Sequence, residues 1–242
     1  FDFSGYTDMA IGAALLFNIK LPINFNSPYK AIGMIDFWQR WHITLSNFIT
    51  TYIYTPLVRS FDRLTFHKAM FATFVTFLIA GLWHGASWMF VVFGGLHGVG
   101  LITNHYWKKS KIKMNNLLAW FITFNFVNVT FIFFRAKDGG EAFKVLGGMF
   151  SLDNIVLPNI LFSKLAILSD YGIRFGGFTS NLAAGNDLII WLFIGFSLIL
   201  LFKNSIEKLD SLKFNYKTVI FSWVIFVIGV LSLNKVSEFL YF

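Results

Sequence analysis

Charged residues divide this chain into apolar runs, and the lengths of those runs predict its elements. No Asp, Glu, Lys or Arg occurs between Ala69 and Trp107. That stretch exceeds one membrane span of roughly 17–25 residues, so it predicts two helices with a break near 85–87. Read as a helix at about 1.5 Å per residue, 69–83 reaches only about 22 Å, against a hydrocarbon core of about 30 Å. The turn bearing His84 is therefore expected within the membrane thickness. Protein or water must surround it there, because lipid cannot satisfy open backbone groups. Further spans are predicted over 114–134, 188–202 and 218–234, with a weaker one at 9–19. Between 20 and 68 the pattern turns aromatic and amphipathic and is broken by Pro22, Pro28 and Pro56. This segment reads as interfacial or re-entrant helices.

Composition agrees with the pattern. The chain is 56% hydrophobic and 13% charged, with a mean hydropathy of +0.64, whereas soluble domains run about 45–50% apolar and about 25% charged. The fold class that follows is all-α, a polytopic integral membrane bundle with re-entrant or interfacial helices and membrane lipid as its solvent. The absence of Cys removes thiolate nucleophiles and Cys-ligated metals. A net charge of +8 does not point to nucleic acid, because the bases fall in short runs between apolar segments. "KKSKIK" at 108–113, the 20–68 segment and the 203–217 loop are net basic, while 135–187 balances its charges. The positive-inside rule puts the first three in the cytoplasm and 135–187 outside. The chain opens on Phe1 without a signal-peptide pattern, and is expected to be part of something longer.

Ionisable residues inside a membrane are functional candidates by default, and His84 in "LWHGASW" is the best placed. A neutral imidazole withdrawn from water can accept the proton of a hydroxyl that attacks an acyl carbonyl. Alternatively, its nitrogens bond to backbone and cap a helix break. His97, in "GGLHGVG", is a second candidate, with packing as its alternative; Gly94 and Gly98 beside it form a small face that lets helices approach closely. His42 stands in "FWQRWHITLSNF" next to Arg40 and Trp41. Either this group anchors at the interface, or Arg40 and His42 together meet a phosphate-bearing donor from the cytoplasmic side. His67 and His105 read as solvated, and Asp8 and Asp36 as members of structural ion pairs, with orientation of a His as the alternative. There is no G-x-S-x-G elbow, P-loop, G-x-G-x-x-G or H-E-x-x-H, and scattered His without Cys do not make a metal site.

The ordered set "FDFSGYTDMAIG", "FWQRWHITLSNF" and "GLWHGASWMFVVFGGLHG" resembles the membrane-bound O-acyltransferases, particularly the bacterial branch related to the alginate O-acetylation membrane protein. "FFRAKDGGEAFKVLGGMF" and the ending "SEFLYF" match that branch as well. The likeness covers nearly all of residues 1–242, as the C-terminal half of a typical member whose N-terminal spans are not included. It implies an acyltransferase of the bacterial inner membrane, multi-pass, with His42 and His84 as its two hallmark catalytic residues. Arg40, Trp41, Trp83 and His97 are the expected substrate-binding residues. It further implies no bound cofactor, acetyl-CoA as donor, a periplasmic acyltransferase- or esterase-like partner protein, and a polysaccharide or peptidoglycan acceptor. One departure stands out. Close relatives of the alginate protein carry Arg-Asp-Tyr and later Gly-Gly-Asn-Arg after this His motif, where this chain has Thr50, Thr51 and no such run. Donor handling or partner choice is expected to differ accordingly. The rival readings are D-alanyl transfer to cell-wall polymers, a transporter with a His proton relay, and a non-catalytic scaffold that docks a periplasmic partner.

Overall fold

The computed structural model describes residues 2–152, 155–176, 187–213 and 215–232. Its helices are α1 (Asp2–Leu16), α2 (Met34–Trp38), α3 (Ile43–Ile49), α4 (Thr55–Arg59), α5 (Phe66–Trp83), α6 (Trp88–Ser110), α7 (Asn116–Arg135), α8 (Gly139–Phe150), α9 (Phe162–Leu165), α10 (Asp187–Leu201), α11 (Ser205–Asp210) and α12 (Tyr216–Ser232). The all-α expectation needs one addition. Inside 135–187, β1 (Val156–Pro158) and β2 (Arg174–Gly176) pair in parallel, with Val156 opposite Arg174. Each strand is three residues long, too short to leave a periodic signal in the sequence.

The long uncharged run folds as two helices with a break, as its length requires. The side chain of Thr65 accepts the Lys68 N–H and starts α5 three residues earlier than hydropathy alone indicates. An 18-residue helix spans about 27 Å at about 1.5 Å per residue, still less than the hydrocarbon core. The turn at 84–87 contains Gly85 at φ +154°, a conformation that L side chains rarely adopt. Ser87 then caps α6 by accepting the Met89 N–H at 3.2 Å. We expect Ser87→Ala to cost about 1 kcal/mol, read as a lower thermal midpoint in detergent; an unchanged midpoint would show that the cap is not holding the turn.

Helices α5 and α6 meet backbone to backbone. A Cβ on Gly94 would strike the Phe77 carbonyl oxygen and lie 3.0 Å from Gly81 Cα, and one on Gly98 would press on Phe74. The Gly94–Gly98 spacing therefore performs the close approach that it predicts. Helix α7 begins at the Asn115 cap, whose side chain accepts the Leu117 N–H. The weak span at 9–19 is instead α1, displaced toward the N-terminus. It ends where Asn18 turns left-handed (φ 58°) and the Ile19 N–H reaches back to Ala14 O, a terminus that Asn favours. By length and apolarity α5 and α7 are able to cross a membrane, while the apolar parts of α10 and α12 are shorter. The predicted end of the last span at 234 lies outside the described residues.

The aromatic segment 20–68 forms α2, α3, a π-helical stretch Thr50–Tyr54 and α4. It is part of the core. Met34, Phe37, Trp38, Leu45 and Ile49 bury with Phe77 and Ala80 of α5, Leu101 of α6 and Val127 of α7. Burying so many large side chains, at about 25 cal/mol per Å² of apolar surface, is what seats His42 against the α5–α6 hairpin.

Candidate active site

His84 is the residue at which α5 ends; its backbone N–H bonds to Gly81 O at 3.1 Å. Its ring sits among aromatic faces, 5.0 Å from Trp83 and from Phe134 and 5.9 Å from Phe93 between ring centroids. His84 Nδ1 is buried and, among the described residues, has no hydrogen-bond partner. The backbone of His84 thus serves the helix end, while the ring does not supply the cap that its structural alternative requires.

His42 occupies the N-cap position of α3 in a left-handed conformation (φ 44°, ψ 54°) and makes no side-chain cap. Asn24 does that work: its side-chain oxygen accepts the Thr44 N–H at 3.2 Å, and its carbonyl accepts the Ile43 N–H. A non-glycine residue held left-handed costs about 1–3 kcal/mol and persists only where its surroundings impose it. Here the conformation turns the imidazole away from its own helix toward Phe3, at 4.9 Å, and Trp83, at 6.3 Å. His42 Nδ1 is likewise buried without a partner among the described residues. The Trp83 ring touches both imidazoles and is 58% exposed. Two buried imidazole nitrogens, without partners among the described residues, thus flank one indole.

The other expected site residues lie elsewhere. Arg40 and His42 do not share a ligand face. Arg40 donates to Asp36 Oδ1 at 2.7 Å and to Asn26 O at 3.3 Å. It lines a cleft of about 720 Å³ between α2, α6 and α7, together with Asn104, Trp107 and Lys108. The reason is local: Arg40 is four residues after Asp36 and is drawn back along α2, while His42 follows the chain into its left-handed turn. Trp41 is half-buried, stacked on Phe37 at 5.6 Å and edge-on to Phe25 and Phe131. Asp36 forms the expected ion pair, whereas Asp8 accepts from the Ser205 hydroxyl. His67 pairs with the Tyr106 hydroxyl at 3.0 Å, and His105 borders a second cavity of about 400 Å³ under α2 and α3.

His97 is 0% exposed, and both of its nitrogens are engaged. Trp38 Nε1 can only donate, so His97 Nδ1 accepts that bond at 3.1 Å and carries no proton. The Thr130 hydroxyl donates to Val127 O at 2.7 Å. It therefore accepts from His97 Nε2–H at 2.9 Å. One neutral tautomer satisfies every group in this chain of bonds. As placed, no atom of His97 faces a ligand, and the packing alternative is the one that the geometry fits. Sequence reasoning named Trp38 only as a flank of His42 and did not single out Thr130, Phe93 or Phe134; a Thr in the middle of an apolar helix was the only available signal for the bond to α7.

Comparisons with known proteins place the chain in a family. The model of the membrane-bound O-acyltransferase family matches residues 1–136, which include both imidazoles and the aromatic cage around them. A peptidoglycan O-acetyltransferase of Helicobacter pylori is 50% identical over 166 residues, covering 66% of this chain and 31% of that protein. A probable alginate O-acetylase AlgI of Azotobacter vinelandii is 36% identical over 187 residues, covering 72% of this chain and 37% of its own length. A teichoic acid D-alanyltransferase of Streptococcus thermophilus is 32% identical over 156 residues, covering 55% and 38%. The chain spans about a third of the length of these curated relatives. With more than half of its residues matched by the family model and its two imidazoles inside the match, this chain belongs to the membrane-bound O-acyltransferase family.

Proposed function

We propose that this chain carries the transfer centre of a multi-pass inner-membrane O-acyltransferase. It moves an acyl group, acetyl, from a cytoplasmic thioester donor such as acetyl-CoA to a hydroxyl of an exported cell-envelope polysaccharide. The observation that carries this reading is the pair of buried, unpartnered Nδ1 atoms of His42 and His84 around Trp83. A hydroxyl oxygen attacking the thioester carbonyl must lose its proton, and an imidazole nitrogen with a free lone pair can take it. The C–O bond forms, the C–S bond breaks, and the departing thiolate recovers a proton. Holding both substrates at one place supplies much of the rate.

His84 is the general base or proton shuttle in this reading, with His42 as the second catalytic imidazole and Trp83 as the surface against which substrate rests. The donor's phosphates approach the cleft lined by Arg40 and Lys108. Lys108 is the freer charge there, because Arg40 is already paired with Asp36. The names of the relatives support a polysaccharide acceptor, and the 50% identity to a peptidoglycan O-acetyltransferase favours acetyl on peptidoglycan. A periplasmic esterase-like protein is the proposed partner for the final delivery. The D-alanyl relatives supply the second reading.

The test expresses the complete gene with its neighbours in a strain that lacks envelope O-acetylation. Mild base then releases ester-linked groups from purified glycans, and acetate and D-alanine are both measured. Acetate above the vector control is the expected outcome. D-alanine alone would replace the acyl group in this reading, and neither product would reject acyl transfer.

A further inference from the structure

We infer that His97 is a positioning residue for acyl transfer: through its bonds to Trp38 and Thr130 it holds the segment bearing His42 at a fixed setting against the hairpin bearing His84. The inference rests on the acyl-transfer reading above for its kinetic consequence, and on geometry alone for its structural one.

The bonds join three elements, two of which are tied once more seven residues further along α6, where the Ile35 N–H donates to Asn104 Oδ1 at 3.1 Å. Trp38 closes α2, His97 lies in the middle of α6, and Thr130 lies in α7. Aromatic packing surrounds the junction, but rings slide over one another at little cost, whereas a buried donor must keep its acceptor. His97 also touches the neighbours of both candidate imidazoles. Phe93 lies 4.4 Å from His97 and 5.9 Å from His84. Phe37 lies 6.2 Å from His97 and stacks at 5.6 Å on Trp41, the residue before His42. Any slip of α2 along α6 therefore breaks the Trp38 bond and shifts His42 relative to Trp83 and His84.

The requirement on position 97 is specific. It needs one acceptor facing Trp38 and one donor facing Thr130, side by side on one flat group. Neutral imidazole provides both, and so does the amide of Gln. Leu fills space and provides neither. A role limited to filling the core is met by Leu; a positioning role is not. This pattern, in which Gln rescues and Leu does not, distinguishes the two.

The experiment uses the complete protein in membranes, as wild type, His97→Leu, His97→Gln, Trp38→Phe and the near-isosteric Thr130→Val. Two quantities are read. The first is turnover per folded molecule, with KM for the acyl donor. The second is the distribution of distances between spin labels on Gln39→Cys and Ala86→Cys, exposed positions at the end of α2 and beside His84. The expected result is a broadened distance distribution and a turnover reduced about tenfold to a hundredfold, the size a misplacement of about 1 Å brings. It should appear in His97→Leu, Trp38→Phe and Thr130→Val with donor KM within about twofold, and His97→Gln should restore both readouts. A sharp distribution in all three variants overturns the inference, as does turnover per folded molecule within about twofold of wild type. If wild type forms no ester, the acyl-transfer reading fails by itself, and the label distances alone decide whether His97 sets the position of α2.

Discussion

Replacing His84 with Ala is expected to abolish nearly all ester formation while leaving the amount of protein in the membrane unchanged. Proton transfer by a positioned side chain contributes about 10²–10⁴-fold, equivalent to about 3–5.5 kcal/mol of barrier, and a loss in that range is predicted here. Two features of the structure put the expectation on this residue. The ring nitrogen is buried but unpartnered among the described residues, so no structural bond consumes the lone pair that the chemistry needs. Among the described residues the fold, in turn, hydrogen-bonds His84 through its backbone N–H, which closes the end of α5 on Gly81, while the ring contributes packing against Trp83, Phe93 and Phe134. Ala keeps that backbone bond, and removal of the ring leaves Phe93 and Phe134 packed on each other at 5.0 Å. The variant should therefore fold. Base-released acetate at matched membrane abundance reads the result, and an ester level within a few-fold of wild type would demote His84 to a structural residue.

The second large effect is on the fold. Gly94→Leu is expected to remove the protein from the membrane fraction, or to lower its thermal midpoint in detergent drastically. Overpacking an ordinary core costs about 1–3 kcal/mol, because side chains rotate aside to make room. At Gly94 the obstructing atoms are the Phe77 carbonyl oxygen and the backbone of Gly81, and neither can rotate away. The helices must separate instead, which pulls apart the pair that presents His84. The cost then approaches the whole stability of a domain, about 5–15 kcal/mol. Gly147 is the control, since nothing lies within 4 Å of a Cβ built there; Gly147→Ala in α8 should be neutral or slightly stabilising. A Gly94→Leu protein that accumulates and melts like wild type would show that α5 and α6 do not meet as described.

Much of this arrangement was legible because it is written in local pattern. An uncharged run too long for one helix had to break, and Gly85 and Ser87 mark the place. The small residues at 94 and 98 announced a close helix approach that the Phe77 and Phe74 contacts confirm. His84 stood out as an ionisable group in apolar surroundings. Whether Arg40 and His42 face one ligand was not legible, for an equally local reason. Two residues apart in the chain reads as together, yet an i,i+4 pull from Asp36 and a left-handed residue at 42 send the two side chains to different faces.

By itself, the sequence determined the class of protein, the helix–break–helix around His84 and the family motifs, because hydropathy, spacing and turn residues act over a few positions. It ranked His84 first, but it could not tell which of the histidine nitrogens are held by structural bonds. Only the tertiary structure separated them, by bringing Trp38 and Thr130 to the two nitrogens of His97 from 59 and 33 residues away and, among the described residues, bringing no partner to Nδ1 of His42 or His84. The reason is that a buried polar atom's role is set by what reaches it. That is a matter of how distant helices pack, which no local pattern records.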